Sequence, residues 1–157
     1  MGSATIVATA FALILLMITA YFLVGVVLTT AEVVSMAQGE QINQQELRIR
    51  TSIGINQTSV LPPETLYVEV INDGKTTISD FEYFDIYTGS NTSKTPVYYQ
   101  KGDGTGEWNI VSIKPDIINP EQFDPQEIMN ISVRYSGEAP AWIQITTPNG
   151  VSASAYT

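Results

Sequence analysis

The chain begins with a long apolar run. From Ile6 to Leu28 the sequence reads IVATAFALILLMITAYFLVGVVL, and its only polar residues are Thr9, Thr19 and Tyr21. A helix rises about 1.5 Å per residue, so about 20 such residues cross a hydrocarbon core of about 30 Å. A buried helix of a soluble domain normally keeps a polar stripe, and this run has none. The pattern therefore predicts one membrane-spanning helix.

The helical pattern continues past the apolar run. The segment Thr29–Leu47 contains no Pro and a single Gly. Its apolar residues recur at about helical spacing, at Val33, Met36 and Ile42. We therefore expect residues 1–46 to form a transmembrane helix with an extracytoplasmic stalk, in which Gly39 is the position most prone to fray, kink or cap the helix.

The hydrophobic period changes from 3.6 to 2 at Leu47. Turn sequences such as NDG (72–74) and PNG (148–150) separate the segments that follow. The predicted strands are LRIRTSIGI (47–55), TLYVEVIN (65–72), FEYFDIYT (81–88), PVYYQ (96–100), WNIVSI (108–113), IMNISVRY (128–135), AWIQITT (141–147) and VSASAYT (151–157). This series is typical of an all-β Ig-like sandwich over residues 47–157, with Trp108 and Trp142 packed in its core.

Composition removes most catalytic and metal chemistry. The 157 residues include no Cys and no His, which excludes disulfides, the usual zinc, copper and haem ligands, and the commonest general base. No pair of carboxylates, Lys or Tyr stands at a recognisable catalytic spacing. We therefore assign no catalytic residue, no cofactor-binding residue and no metal ligand, and we expect no enzyme activity. The net charge of −9 also argues against nucleic acid as a partner.

Charge places the β domain outside the cytoplasm only indirectly. The first charged residue is Glu32, and no Lys or Arg flanks the apolar run until Arg48, so the positive-inside rule gives no orientation. Two weaker cues favour an exported β domain, namely its acidity and its three N-x-[ST] sequons. The candidate glycosylation sites are Asn56, Asn91 and Asn130.

Small residues mark one face of the apolar helix. Ala4, Ala8 and Ala12 are each four residues apart, a spacing that lets membrane helices approach closely. The pattern favours packing into an oligomer or filament about as much as it favours chance, because Ala is common.

Two patterns in the β domain have an ordinary interpretation beside the functional one. The carboxylates that could hold Ca²⁺ are Asp80, Glu82, Asp85, Asp103 and Glu107. They have no EF-hand or repeat spacing, so a solvated acidic face is favoured. The segment PEQFDPQE (120–127) is interpreted as a rigid link between strands rather than as a docking loop.

The order of these segments resembles the accessory proteins F and G of the archaellum, the archaeal swimming motor, within the archaellin-like and type IV pilin-like group. The resemblance covers nearly the whole chain. It rests on TAEVVSMAQ (30–38), LRIRTSIGI (47–55), LYVEVINDGKTTISDFEYFDIYTG (66–89), GTGEWNI (104–110), FDPQEIMNISV (123–133) and TTPNGVSASAY (146–156).

The resemblance implies a mechanical role. Its members have a single-pass helix in the archaeal cytoplasmic membrane and an extracytoplasmic β domain, and they act as a stator that links the motility motor to the surface layer. It implies surface-layer protein and other archaellum accessory or filament subunits as partners. The alanine spacing adds self-association through the helix as an expectation, and the composition indicates no cofactor. An F-type protein, which binds the surface layer, is favoured over a G-type protein, which assembles into a short filament.

Two alternatives from other classes stay open. The first is an archaellin or type IV pilin-like filament subunit, although the basic leader of such proteins is not seen before the apolar run. The second is a membrane-tethered adhesin or binding module. Its candidate aromatic residues are Tyr83, Tyr87, Tyr98 and Tyr99.

Overall fold

The computed structural model describes residues 2–93 and 95–157. The chain divides into two compact units, one up to Asn43 and one from Gln44 to Thr157. The first unit is helical, and the second contains the end of the same helix followed by an all-β domain.

The helix α1 extends over Gly2–Arg50, and all its described residues are exposed. It continues through Gly39. Its threonine hydroxyls donate to backbone carbonyls three or four residues earlier, which satisfies them where water is absent. These hydroxyls belong to Thr5, Thr9, Thr19, Thr29 and Thr30. The predicted transmembrane helix is therefore present as a helix.

The helix ends later than the alternating pattern predicted. The interpretation of residues 47–55 as a strand is wrong for residues 47–52, because residues 47–50 form the last helical turn and the strand begins only at Ile53. Arg50 pairs with Glu46 one turn earlier at 3.2 Å, and the Arg48 and Arg50 charges suit the negative end of the helix dipole. These local interactions favour helix over the strand that the period of 2 suggested.

Eight strands follow the helix. Their bounds are β1 Ile53–Leu61, β2 Thr65–Asn72, β3 Asp85–Gly89, β4 Val97–Lys101, β5 Glu107–Lys114, β6 Ile128–Arg134, β7 Trp142–Thr146 and β8 Ser152–Tyr156. The strand order is β1-β2-β6-β5-β4-β3-β7-β8, with β4 and β5 parallel and all other neighbours antiparallel. Strand β8 lies beside β1, where Thr58 Oγ1 donates to Tyr156 O at 3.0 Å. The domain is a nearly closed sandwich, so the predicted Ig-like sandwich is confirmed.

The core lies between the two halves of this sandwich. In β2 the side chains of Leu66, Val68 and Val70 point inward, opposite inward side chains of β6. Trp108 is 1% exposed, and its ring lies 6.2 Å from that of Phe84. The prediction of Trp108 as a core residue is confirmed. Such burial contributes about 25 cal/mol per Å² of apolar surface, which stabilises a domain without disulfides.

One predicted strand is partly a different element. Residues 81–83 form a short 3₁₀ helix, and β3 begins only at Asp85. Phe81 and Phe84 both enter the core, with ring centroids 5.6 Å apart. A spacing of three directs both rings inward from a helical turn, whereas a strand would direct them to opposite faces.

Candidate interaction surfaces

The apolar part of α1 has the length and composition of a single membrane span. Ala4, Ala8 and Ala12 are all exposed on the helix. Successive positions four apart differ by about 40° around the helix axis, so the three methyl groups line one narrow strip. Helix packing through this strip stays a prediction.

The last helical turn is bonded into the β domain. Lys75 N donates to Arg50 O at 2.7 Å, which satisfies a carbonyl at the helix end. Asn149 Nδ2 donates to Thr51 Oγ1 at 2.6 Å and to Leu47 O at 3.4 Å. Two separate turns of the β domain therefore hold the helix terminus.

The turn that holds Arg50 requires glycine. A β-carbon at Gly74 would lie 2.5 Å from Ser52 N and 2.7 Å from Arg50 O. Both are backbone atoms, so a side chain cannot be accommodated by a rotamer change. Gly74 N itself donates to Ser52 O at 3.1 Å, which closes the turn onto the residues that follow the helix.

The three sequons occupy different environments. Asn56 is exposed in β1, and Asn91 is exposed in the loop between β3 and β4. Asn130 is half-buried in β6, a strand between β2 and β5, and its Nδ2 lies 3.5 Å from Ser112 Oγ. Glycosylation at these positions stays a prediction.

Three of the five carboxylates considered for Ca²⁺ have separate local partners. Lys101 Nζ lies 2.7 Å from Glu82 Oε1, Asn109 donates to Asp103, and Gly104 N donates to Glu107 Oε2 at 2.6 Å. Across residues 2–93 and 95–157, no group of three or more Asp and Glu side chains is arranged to hold a metal ion.

The segment between β5 and β6 is more ordered than a simple link. Asp124 and Glu127 are buried polar residues, and Phe123 is fully buried. Asp124 accepts hydrogen bonds from Thr77 Oγ1 at 2.6 Å and from Asn119 Nδ2 at 2.9 Å. These bonds, that of Thr77 above all, lower the pKa of Asp124. Sequence reasoning missed this network, because Thr77 lies 47 residues before Asp124.

The aromatic candidates separate into inner and outer residues. Tyr99 is buried, and its hydroxyl accepts a hydrogen bond from Thr88 Oγ1 at 3.2 Å. Tyr83 is 73% exposed in the 3₁₀ helix. Tyr87 and Tyr98 are cross-strand partners with ring centroids 5.3 Å apart. Partial burial, and secondly the Asp85 carboxylate, raise the pKa of Tyr98.

Trp142 is not a core residue, contrary to the prediction. It is only half-buried and lies on the outer surface of β7. In the register it faces Gly89 of β3, and a β-carbon at Gly89 would lie 2.2 Å from Trp142 Nε1. The missing side chain of Gly89 leaves room for the indole outside the sheet. Sequence alone does not show that these two residues are partners.

An apolar helix of membrane-spanning length followed by a nearly closed eight-stranded sandwich defines a class of Ig-like proteins with a long N-terminal helix. Within it, the chain is similar to the archaellum periplasmic stator protein FlaG from Sulfolobus acidocaldarius, with 26% identity over 68% of this chain and 99% of that chain, and a TM-score of 0.53. It is also similar to a chain of the periplasmic stator protein complex of FlaF and FlaG from the same organism, with 26% identity over 67% of this chain and 87% of that chain, and a TM-score of 0.51.

These matches confirm the resemblance to the archaellum accessory proteins. The helix alone cannot supply the matched share of the chain, so the similarity involves the β domain. Both matched structures are described as stator proteins and neither as an enzyme. No protein-family model and no curated protein matches the sequence.

Proposed function

We propose that this protein is a structural, membrane-anchored component of an archaellum stator. The observation that supports the proposal most is the match to a stator protein along 99% of its solved chain. The apolar helix before the β domain adds an anchor in the membrane.

A stator must hold its position against the torque of the motor. The helix anchors the chain in lipid, because moving its apolar side chains into water costs about 25 cal/mol of free energy per Å² of apolar surface exposed. The β domain supplies a close-packed body of low compressibility. The hydrogen bonds of Leu47 O and Arg50 O to two turns of that domain let force enter it through the last helical turn.

The favoured role is F-type. In this role the helix lies in the archaeal cytoplasmic membrane, the β domain lies outside the cytoplasm, and it binds surface-layer protein. The acidity of the domain and its sequons support that location. The matched structures include both FlaF and FlaG, so other stator subunits are proposed partners as well.

Cosedimentation separates the two types. The full-length chain, purified in detergent, is mixed with surface-layer sheets and sedimented, with another single-span membrane protein of similar acidity as the control. An F-type protein sediments with the sheets and saturates. A G-type protein does not bind the sheets. It instead forms filaments when incubated without them, visible by electron microscopy. A folded chain that does neither contradicts the stator proposal.

The filament-subunit alternative has its own test. The mass of the chain isolated from its native membrane is measured by mass spectrometry. The stator proposal predicts that Gly2 is retained. Removal of N-terminal residues by a leader peptidase would instead favour an archaellin or pilin.

A further inference from the structure

One outer face of the β domain carries aromatic rings and almost no charge. Strands β4, β3, β7 and β8 are neighbours, and their inward side chains belong to the core. At the outward positions of these four strands stand four aromatic residues, Tyr87, Tyr98, Trp142 and Tyr156. The single charged side chain at those positions is Asp85, although the chain as a whole carries a net charge of −9. We call this surface the aromatic face.

The cross-strand register brings rings and polar groups together. Trp142 is the partner of Tyr156, and Gln144 is the partner of Ser154 in the next outward-facing pair along the same strands. Gln144 is also the partner of Tyr87, which in turn faces Tyr98. The face therefore has an aromatic row beside a row that mixes rings with an amide and a hydroxyl.

Gly89 determines how the indole lies. A β-carbon at this position would approach Trp142 Nε1, Cε2 and Cζ2 to 2.2, 2.4 and 2.6 Å. The ring therefore covers the glycine backbone, and Gly89 is buried although it occupies an outward position. An indole seated on the sheet in this way turns its other side to the solvent.

A groove of about 340 Å³ runs beside this ring. It is lined by Trp142, Gln144, Ser154, Ala155 and Tyr156. Tyr156 is 85% exposed, so its ring is accessible. Within the described parts of the chain, the side chains of Gln144 and Ser154 make no hydrogen bond, and both are therefore available to a ligand.

We propose that the aromatic face binds a neutral saccharide carried by a second molecule of the cell envelope. A sugar ring presents a C–H surface that packs on aromatic rings, and hydroxyl groups that bond to an amide and a hydroxyl. The volume of the groove lies within the range of small-ligand sites, about 300–1,000 Å³. A nearly uncharged surface on an acidic protein disfavours anions by repulsion and offers a cation only one carboxylate.

Tryptophan emission reports occupancy directly, because the chain has two tryptophans and Trp108 is buried. The full-length chain, produced without glycosylation and held in a zwitterionic detergent, is titrated with maltohexaose, mannohexaose and chitohexaose. Maltoside detergents are avoided because their headgroups are sugars. We expect at least one of these probes to shift the Trp142 emission to shorter wavelength with saturation, and the anionic oligogalacturonate to leave it unchanged.

Variants locate the binding. Trp142→Ala and Tyr156→Ala should each raise the dissociation constant, measured by calorimetry, at least tenfold. Trp142→Phe should keep binding but lose the emission change, and Tyr83→Ala, which removes an exposed ring elsewhere, should change neither. Circular dichroism and Trp108 emission check the fold of each variant.

Three outcomes would overturn the proposal. They are no response to any neutral probe at 10 mM, undiminished binding in both alanine variants, or a change in oligomeric state on Tyr156→Ala without sugar binding, which would make the face a contact between copies. The inference rests on the proposed location of the β domain outside the cytoplasm, but not on the stator role. Loss of sugar binding leaves surface-layer cosedimentation untested, and failed cosedimentation leaves this titration valid.

Discussion

A buried asparagine connects the turns at the end of the β domain that receives the helix. Asn72 Nδ2 donates to Thr76 O and Phe123 O at 2.9 Å each, and its Oδ1 accepts from Gly74 N at 3.1 Å. Asn72 is fully buried, so leaving any of these polar atoms unpaired would lower the stability of the domain. One amide therefore fixes the Gly74 turn that holds the helix terminus.

Replacing that glycine should loosen the terminus. In Gly74→Ala the new methyl group meets the backbone of Ser52 and Arg50, so the turn must move and the Lys75 N to Arg50 O bond weakens. We expect the free energy of unfolding of the β domain to fall by about 2 kcal/mol, measured by urea denaturation. The control is Gly104→Ala, whose methyl group meets only the end of the flexible Glu107 side chain. Equal stability of the two variants would contradict this account.

A second buried polar residue predicts a pH dependence. Hydrogen bonds from Thr77 and Asn119 lower the pKa of Asp124 below the value of about 3.9 in an unfolded chain. The carboxylate therefore stabilises the folded domain above that pH, and the stabilisation is lost as the pH falls through the folded-state pKa.

Asp124→Asn should remove this dependence. The free energy of unfolding, measured by urea denaturation between pH 7 and pH 3, should fall less steeply below pH 5 in the variant than in the wild type, and it should already be lower at pH 7. Asp73→Asn removes an exposed carboxylate from the nearby turn and controls for the loss of one charge. An unchanged slope in Asp124→Asn would show that this carboxylate does not carry the effect.

Periodicity predicted the elements well where burial of one face in the core decides the structure. The strand predicted at residues 65–72 is confirmed residue for residue, because its inward positions all face the core. The helix end was misplaced because Leu47–Arg50 alternates apolar and basic residues like a strand. Its helical state depends on the pairing of Arg50 with Glu46 and on the distant Lys75 and Asn149.

The candidate surfaces were harder to predict than the elements. Alternation assigns Trp142 and Tyr156 to a face, but only the strand order decides which neighbours share it. The partnership of Gly89 with Trp142 joins residues more than fifty positions apart. The buried Asp124 is likewise invisible in sequence, since its partner Thr77 precedes it by 47 residues.

At the level of the helix, the small residues give a further prediction. Ala8→Ile places a bulky side chain on the strip that Ala4 and Ala12 share, and it should weaken helix association in detergent about tenfold, measured by energy transfer between labelled chains. Ala10 lies about 200° around the helix from Ala8, so Ala10→Ile adds the same bulk to the other side. Association that falls equally in both variants would exclude this strip as the interface.

At the scale of the whole molecule, the proposed stator role requires a membrane anchor and a partner-binding domain in the same chain. An apolar helix without a β domain would have no part that binds a partner outside the membrane. A free β domain would bind its partner without transmitting any force to the membrane. The proposed stator function therefore depends on the β domain and on the apolar helix together.

The most direct test measures swimming in a strain that lacks this protein. The strain is complemented either with the full chain or with a form in which a cleavable signal peptide replaces residues 1–28, so that the β domain is exported but unanchored. Export and folding of the released domain are checked by protease resistance. We predict that the full chain restores swimming and the released domain does not. Equal swimming with both forms, or normal swimming without either, would contradict an anchored stator.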